Sequence, residues 1–333
     1  MSDHRSRART TPVLSRLART YGILCLLALL AWAVLIDTWW LQPLNMTTFW
    51  WTLPAVVALP LSLRRQRWLS AAALAVPAAV WLWSYGSLFV PNAAPVVPAD
   101  LRIVTYNTLV GAPGIDHVVH LVGRTNPDVL VLQEVFPERE TALREAYAGR
   151  YPHMVGIQTG GVGGVMVLSR FPVTEVRDVT DSGAASRNTA VVMLDVGGRP
   201  VQIVPMHLTS PCPSCGPSMS DRLDSEGERR QAEVFAILRT LSPGVPAIVA
   251  GDFNSNERSG PYRRLSRAGF HDPHRARGSG PGFTWPNDGP IGPMIRIDWI
   301  LTRQLIPVDA WVDDGGPSNH RPVVVDVAMR RTG

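Results

Sequence analysis

Three long apolar runs fill the first ninety residues, and a chain that opens this way cannot bury all of them in one soluble core. Residues 21–36 (YGILCLLALLAWAVLI), 46–63 and 69–90 each approach the roughly 20 residues that a helix needs to cross a bilayer. Pro54, Pro60 and Pro77 fall inside the second and third runs. A soluble helix resists proline there, whereas neighbouring membrane helices accommodate it. Eight of the eleven tryptophans (Trp32, Trp39, Trp40, Trp50, Trp51, Trp68, Trp81 and Trp83) precede residue 90, which suits a membrane–water interface. The sequence thus predicts about three transmembrane helices over 21–90, behind a basic N-terminus of residues 1–20. One signal anchor followed by buried helices is the competing reading. A cleavable signal peptide fits less well, because two more apolar runs follow the first.

Charge divides the chain at the same place. Of 32 basic and 27 acidic residues, the first 99 hold eight arginines against Asp3 and Asp37, a net +6, which leaves 24 basic and 25 acidic residues beyond. The basic balance belongs to the apolar segment and carries no signal for nucleic acid, since a duplex binder needs a basic footprint on the binding domain itself. Five arginines precede the first run, and Arg64, Arg65 and Arg67 separate the second from the third. The positive-inside rule then puts the N-terminus and the arginine loop in the cytoplasm, so three crossings deliver residue 91 to the outer side. Residues 91–99 (PNAAPVVPA) read as a short Pro-rich linker, and residues 100–333 as an extracytoplasmic domain. In that oxidising setting Cys212 and Cys215, within TSPCPSCGP, suit a local disulfide better than half of a metal site.

Beyond residue 100, strand-like and helix-like patterns alternate. Strands are expected over 101–106 and 129–132, with helices over 116–124 and 138–148. Short strands then succeed one another from 165 to 204, with Gly197-Gly198 as a two-residue turn between 191–196 and 200–204. A helix over 222–239 precedes strands at 247–250, 295–301 and 323–327. This mixture of hairpins and crossovers predicts an α/β (α+β) domain of two packed sheets flanked by helices, not a doubly wound parallel sheet.

Polar residues stand where the apolar strands stop: Asn107, Glu134, His207, Asp252, Asn254, Asp298 and His320. Singly, each has an ordinary structural explanation as a turn residue, a helix cap or a satisfied core group. Together they supply carboxylate and amide oxygens suited to a hard ion such as Mg²⁺ or Mn²⁺, and no Cys/His cluster that would favour zinc.

The segments TYN ending at Asn107, LQE ending at Glu134, GDFN over 251–254, RIDWI around Asp298 and SNHRPV around His320 resemble the ordered motifs of the endonuclease/exonuclease/phosphatase superfamily. The resemblance implies a four-layer α/β/β/α sandwich and a phosphoesterase site at one end of its sheets. It implies that Glu134 binds the metal with support from Asn107, and that Asp252 and Asn254 position the attacking water and the phosphate. His320, paired with Asp298, would contact the scissile phosphate, and His207 would stabilise it or serve the leaving group. Arg187 and Arg229 are further phosphate-clamp candidates, since a guanidinium can grip two oxygens; either suits the surface equally well, and for Arg229 the surface is the favoured reading. Asn319 stands where the family commonly has aspartate, and an amide is the weaker ligand, so a single ion at the Glu134 side is expected.

The tether favours a lipid-linked phosphate at the outer face of a bacterial cell membrane, because anchoring raises the effective concentration of head groups. The whole arrangement resembles bacterial three-span proteins of teicoplanin-resistance type, which implies undecaprenyl-pyrophosphate or another envelope phospholipid. An extracytoplasmic nuclease acting on DNA and a catalytically silent head-group-binding module are the alternatives.

Overall fold

The computed structural model describes residues 4–34, 41–90, 97–109, 112, 114–158, 163–179, 189–210 and 219–330. The chain divides into two compact units, Met1–Val90 and Pro91–Gly333. Arg187, Cys212, Cys215 and most of the Pro-rich linker lie outside the described residues.

The first unit is helical: α1 (His4–Val34), α2 (Gln42–Met46), α3 (Thr48–Arg64) and α4 (Trp68–Tyr85). Two stretches are long and apolar enough to cross a membrane, Pro12–Val34 and Trp68–Phe89. In their most apolar windows only 17% and 33% of residues are buried, which is unlike a soluble core helix. The expected middle span falls short: α3 has 17 residues and is separated from α2 at Thr47, whose hydroxyl donates to the Pro43 carbonyl at 2.8 Å. Two candidate spans therefore stand where three were expected. The first also begins earlier than residue 21, because the basic stretch before the apolar run is part of one continuous helix.

Small and hydroxylated residues face inward in this unit. Ala55, Leu74 and Ala78 form its buried cluster. A Cβ on Gly22 would stand 2.6 Å from the Ala73 carbonyl oxygen, so glycine lets two backbones approach. Trp81 Nε1 donates to the Phe49 carbonyl at 3.1 Å, and Ser70 Oγ to the Ser15 carbonyl at 2.9 Å.

The second unit contains, in order, β1 (Leu101–Asn107), α5 (Asp116–Thr125), β2 (Val129–Val135), α6 (Pro137–Tyr147), β3 (His153–Ile157), β4 (Gly164–Ser169), β5 (Val173–Asp178), β6 (Ala190–Asp195), β7 (Pro200–His207), α7 (Met219–Thr240), β8 (Ala247–Asp252), α8 (Gly260–Arg267), α9 (Pro273–Arg277), β9 (Asp298–Arg303), β10 (Leu305–Val312) and β11 (Val323–Met329). One sheet has the order β10-β11-β1-β2-β4-β3 and the other β5-β6-β7-β8-β9. Only β1/β2 and β7/β8 pair in parallel, each pair joined through a helix on the outer face; the other strand pairs are antiparallel.

Alternation along the strands builds the layers. Ile103 and Val131 join Ile203, Ile248 and Ile300 between the two sheets. Val104 and Leu132, one residue on, point the other way and pack under Leu121 and Leu143 of α5 and α6. Val204 and Val249 do the same beneath Val234 and Ile237 of α7. The result is the four-layer α/β/β/α sandwich of two mixed sheets. Several elements differ from the sequence pattern. The strands β3 and β10 and the helices α8 and α9 carry too little periodicity to be expected, and β9 starts at Asp298 rather than 295 because Ile295 bridges Trp285 instead.

Candidate active site

Strand register gathers the polar strand-end residues. In the second sheet His207 at the end of β7 is the partner of Asp252 at the end of β8, and Asp252 is the partner of Asp298 at the start of β9. In the first sheet Asn107 ends β1 opposite Gln133 of β2, one residue before Glu134. Two backbone features aim these groups. Glu134 sits at a register shift between β2 and β4 with φ of 60°, a bulge that turns its carboxylate out of the strand's alternation. Gly251, at φ of 149°, lets β8 pass β7 where any Cβ would collide with the Met206 carbonyl oxygen.

The side chains converge on Asp252. Asn107 Nδ2 donates to Glu134 Oε1 at 3.0 Å and to Asp252 Oδ2 at 3.1 Å, so one amide joins carboxylates from both sheets. His207 Nε2 lies 3.9 Å from each of those same two oxygens, and His320 Nε2 lies 3.8 Å from Asp252 Oδ2. His320 Nδ1 is 2.9 Å from Asp298 Oδ2, a hydrogen-bonded pair that fixes the imidazole's orientation. Asn254, at φ of 49°, gives its backbone N–H to Asp252 Oδ1 at 2.8 Å and its Nδ2 to the Leu208 carbonyl at 3.0 Å.

Burial sets the electrostatics. Desolvation pushes the Asp252 carboxyl well above the ordinary carboxylate range, with the Asp298 charge acting in the same direction against the pull of His320 and Asn107. For His320 burial acts downward, yet the nearby Asp298 and Asp252 carboxylates outweigh it and raise the imidazole to about 9. It is therefore cationic at neutral pH.

Among the sequence-derived candidates, Asn107, Glu134, His207, Asp252, Asn254, Asp298 and His320 form this constellation. Asn319 lies within it in sequence but offers a buried Oδ1 that has no hydrogen-bond partner. Arg229 is exposed on α7, while the neighbouring Arg230 is buried and donates to the Thr209 carbonyl at 3.0 Å.

Several supporting residues carry no recognisable sequence signal. Arg139 of α6 donates to Thr108 Oγ1 at 2.6 Å, to the Ala112 carbonyl at 2.6 Å and to the Glu134 carbonyl at 3.2 Å, which ties the loop after β1 to the bulge. Ser318 Oγ donates to the Asn107 carbonyl at 2.8 Å and accepts from the His320 N–H at 3.1 Å. Thr284 Oγ1 accepts from the backbone of Ile297 and Asp298. Arg139 lies 31 positions from Thr108 and Ser318 lies 211 from Asn107, so only folding shows those contacts.

The donor set fits a hard divalent cation. Glu134 and Asp252 present carboxylate oxygens around one amide. Ligand atoms of Asp252, Asp298 and His320 also lie within 4.8 Å of one another. A shared ion there would compete with the His320–Asp298 hydrogen bond for the same lone pairs, so Glu134 is the better ligand and Asp298 the better partner for the imidazole.

A model of the Endonuclease/Exonuclease/phosphatase family matches residues 104–320. No curated protein matches the chain in sequence. Among solved structures, the endonuclease/exonuclease/phosphatase from Bacteroides vulgatus is 17% identical with a TM-score of 0.55, covering 69% of this chain and 99% of its own. The counterpart from Beutenbergia cavernae is 21% identical with a TM-score of 0.53, covering 69% and 71%. The human Nocturnin catalytic domain, solved with a bound sulfate anion, is 17% identical with a TM-score of 0.54, covering 69% and 94%.

Proposed function

The chain belongs to the endonuclease/exonuclease/phosphatase family, and on that premise we propose that it is a membrane-anchored, divalent-cation-dependent phosphoesterase acting on a lipid-linked phosphate. The observation that carries this reading is the Asn107-bridged pair of carboxylates, Glu134 and Asp252, facing the His320–Asp298 pair and His207. Glu134 holds Mg²⁺ or Mn²⁺, with Asn107 keeping its carboxylate in place and Asn319 as the reserve oxygen. The ion supplies Lewis-acid neutralisation of phosphate charge. His320, cationic and oriented by Asp298, binds a phosphate oxygen, and the second imidazole, His207, serves the leaving-group side. Asp252 accepts the proton of the attacking water in its ionised form, and the burial that raises its proton affinity makes that carboxylate the stronger base. Asn254 holds Asp252 in register through its backbone N–H.

The apolar unit supports the lipid. Pro12–Val34 and Trp68–Phe89 are each sufficient in length and composition to cross. We count α3 as a third crossing, since 17 residues is the lower limit for a span. With arginines at both ends of the Met1–Arg67 stretch cytoplasmic, the catalytic unit is then extracytoplasmic. The nine residues 91–99 reach no more than about 32 Å when fully extended, which limits how far the unit can stand from the bilayer.

The full chain in nanodiscs, assayed with Mg²⁺ or Mn²⁺ and with a chelator against polyprenyl pyrophosphate, phospholipids and duplex DNA, tests the proposal. Cation-dependent turnover of a lipid phosphate is expected. Faster cleavage of DNA than of every lipid would overturn it.

A further inference from the structure

The segment between β8 and β9 carries an apolar tip that the constellation above does not use. Trp285 and Ile295 bridge each other through three backbone hydrogen bonds, Trp285 N to Ile295 O at 3.0 Å, Ile295 N to Trp285 O at 3.0 Å and Met294 N to Trp285 O at 2.9 Å. They close a hairpin whose far end is the turn Gly289-Pro290-Ile291-Gly292, sealed by Gly292 N to Gly289 O at 3.1 Å. Ile291 is 80% exposed. Among the described residues of the catalytic unit, the next most exposed large hydrophobic side chain, Phe235, is 49% exposed. One exposed apolar side chain is ordinary on a surface, but Ile291 stands beside the exposed Pro290 at the end of a projecting, hydrogen-bonded hairpin, the geometry of an apolar contact point.

The hairpin is fastened to the catalytic residues. Asn287 N donates to the Asn319 carbonyl at 2.7 Å, Asn287 Nδ2 to the Ser318 carbonyl at 3.0 Å, and Arg321 Nε to Asn287 Oδ1 at 2.8 Å. The residues on both sides of His320 are thus clamped to the base of the tip. Between the two bridge residues the only charged side chain is Asp288, and there is no arginine. That composition suits hydrocarbon and opposes a polyanionic backbone such as DNA.

We propose that the Pro290-Ile291 tip dips into the surface of the bilayer that carries the substrate, so that the lipid phosphate is presented beside His320. The inference rests on the lipid-phosphate reading. It commits to a lipid surface because the same chain carries two helices long and apolar enough to cross a membrane.

The test uses the full chain reconstituted in vesicles of phosphatidylcholine doped with polyprenyl pyrophosphate, beside a soluble ester, bis(p-nitrophenyl) phosphate. Ile291→Asp should lower turnover of the vesicle-borne substrate roughly tenfold, the scale set by removing one large apolar side chain from an apolar phase. Hydrolysis of the soluble ester should stay within about twofold, and Ile291→Leu should restore the vesicle rate. Unchanged vesicle turnover in Ile291→Asp, or equal losses on both substrates, would overturn the inference while leaving the lipid reading in place. Wild-type protein that hydrolyses the soluble ester but no vesicle-borne phosphate would sink the lipid reading itself. A DNA-cleavage rate that falls with Ile291→Asp while lipid turnover does not would assign the tip to nucleic acid and overturn the proposal.

Discussion

The two units of this chain solve burial in opposite senses. In the catalytic unit Ile103, Val131, Ile203 and Ile248 are fully buried, and the buried charged groups are partnered, as in the Asp272–Arg296 pair and the site itself. In the helical unit Leu24, Leu27 and Trp83 are 59%, 57% and 86% exposed, while Thr48, Thr52 and Ser70 are buried. Water drives the first arrangement through the hydrophobic effect. On the membrane-anchored reading proposed above, lipid removes that drive between helices, so contact there depends on small residues and on hydroxyls that find backbone acceptors. One chain therefore carries two rules for what a buried position should be.

The largest effect should come from the site. His320→Ala and Glu134→Ala should each lower turnover by on the order of 10² to 10⁴ while circular dichroism and membrane insertion stay unchanged. Retained turnover in either variant would break the assignment of the strand ends as the reactive edge. Next, Ile248→Ala should destabilise the catalytic unit by about 2–5 kcal/mol in chemical denaturation. Leu27→Ala, in the outward face of α1, should change the stability of the lipid-embedded protein by less than about 0.5 kcal/mol. A comparable loss at Leu27 would mean that this face meets protein and not lipid.

Acidity should separate the units as well. His320 holds its proton more tightly in the folded protein, at about 9 against an ordinary 6.5, so it stabilises the fold. That contribution, on the order of 3 kcal/mol, is whole below pH 6.5 and is lost as pH rises through 9. The Asp252 carboxyl, pushed up to about 7 by burial, costs stability between the ordinary carboxylate range and that value, so its loss is nearly complete before the His320 window opens. Metal-free protein should thus unfold at lower temperature at pH 9.5 than at pH 6.5, and His320→Gln should flatten that slope. Adding Mg²⁺ should restore the alkaline end. An effect smaller than that at Ile248 is expected at Arg139→Ala, which removes one donor from Thr108, Ala112 and the Glu134 carbonyl and should cost about 1–3 kcal/mol. It should also weaken Mn²⁺ binding, read by paramagnetic resonance, more than Arg139→Lys does.

Much of the sandwich was legible before folding, for particular reasons. The Gly197-Gly198 turn between β6 and β7 was read from residue type, and both glycines stand at positive φ, 63° and 83°. The helix expected over 222–239 is α7, Met219–Thr240, because its apolar spacing is long and regular. β10 was not legible: Leu305–Val312 carries Pro307 and a register shift beside it, and its pairing with β11 depends on a strand that follows later. The start of the middle apolar run was not legible, since apolar composition continues through Thr47 while the helix α3 begins only at Thr48.

Sequence alone determined which residues could react, because carboxylate, amide and imidazole types at the ends of apolar strands are fixed by covalent chemistry and period-two alternation. Only the tertiary structure decided which of them meet. Asn107 and Asp252 are 145 positions apart, and their hydrogen bond exists because two sheets stack with those strand ends at one edge. The exposed Ile291 beside the clamped His320 loop was decided in the same way, by backbone hydrogen bonds between segments that no local pattern links.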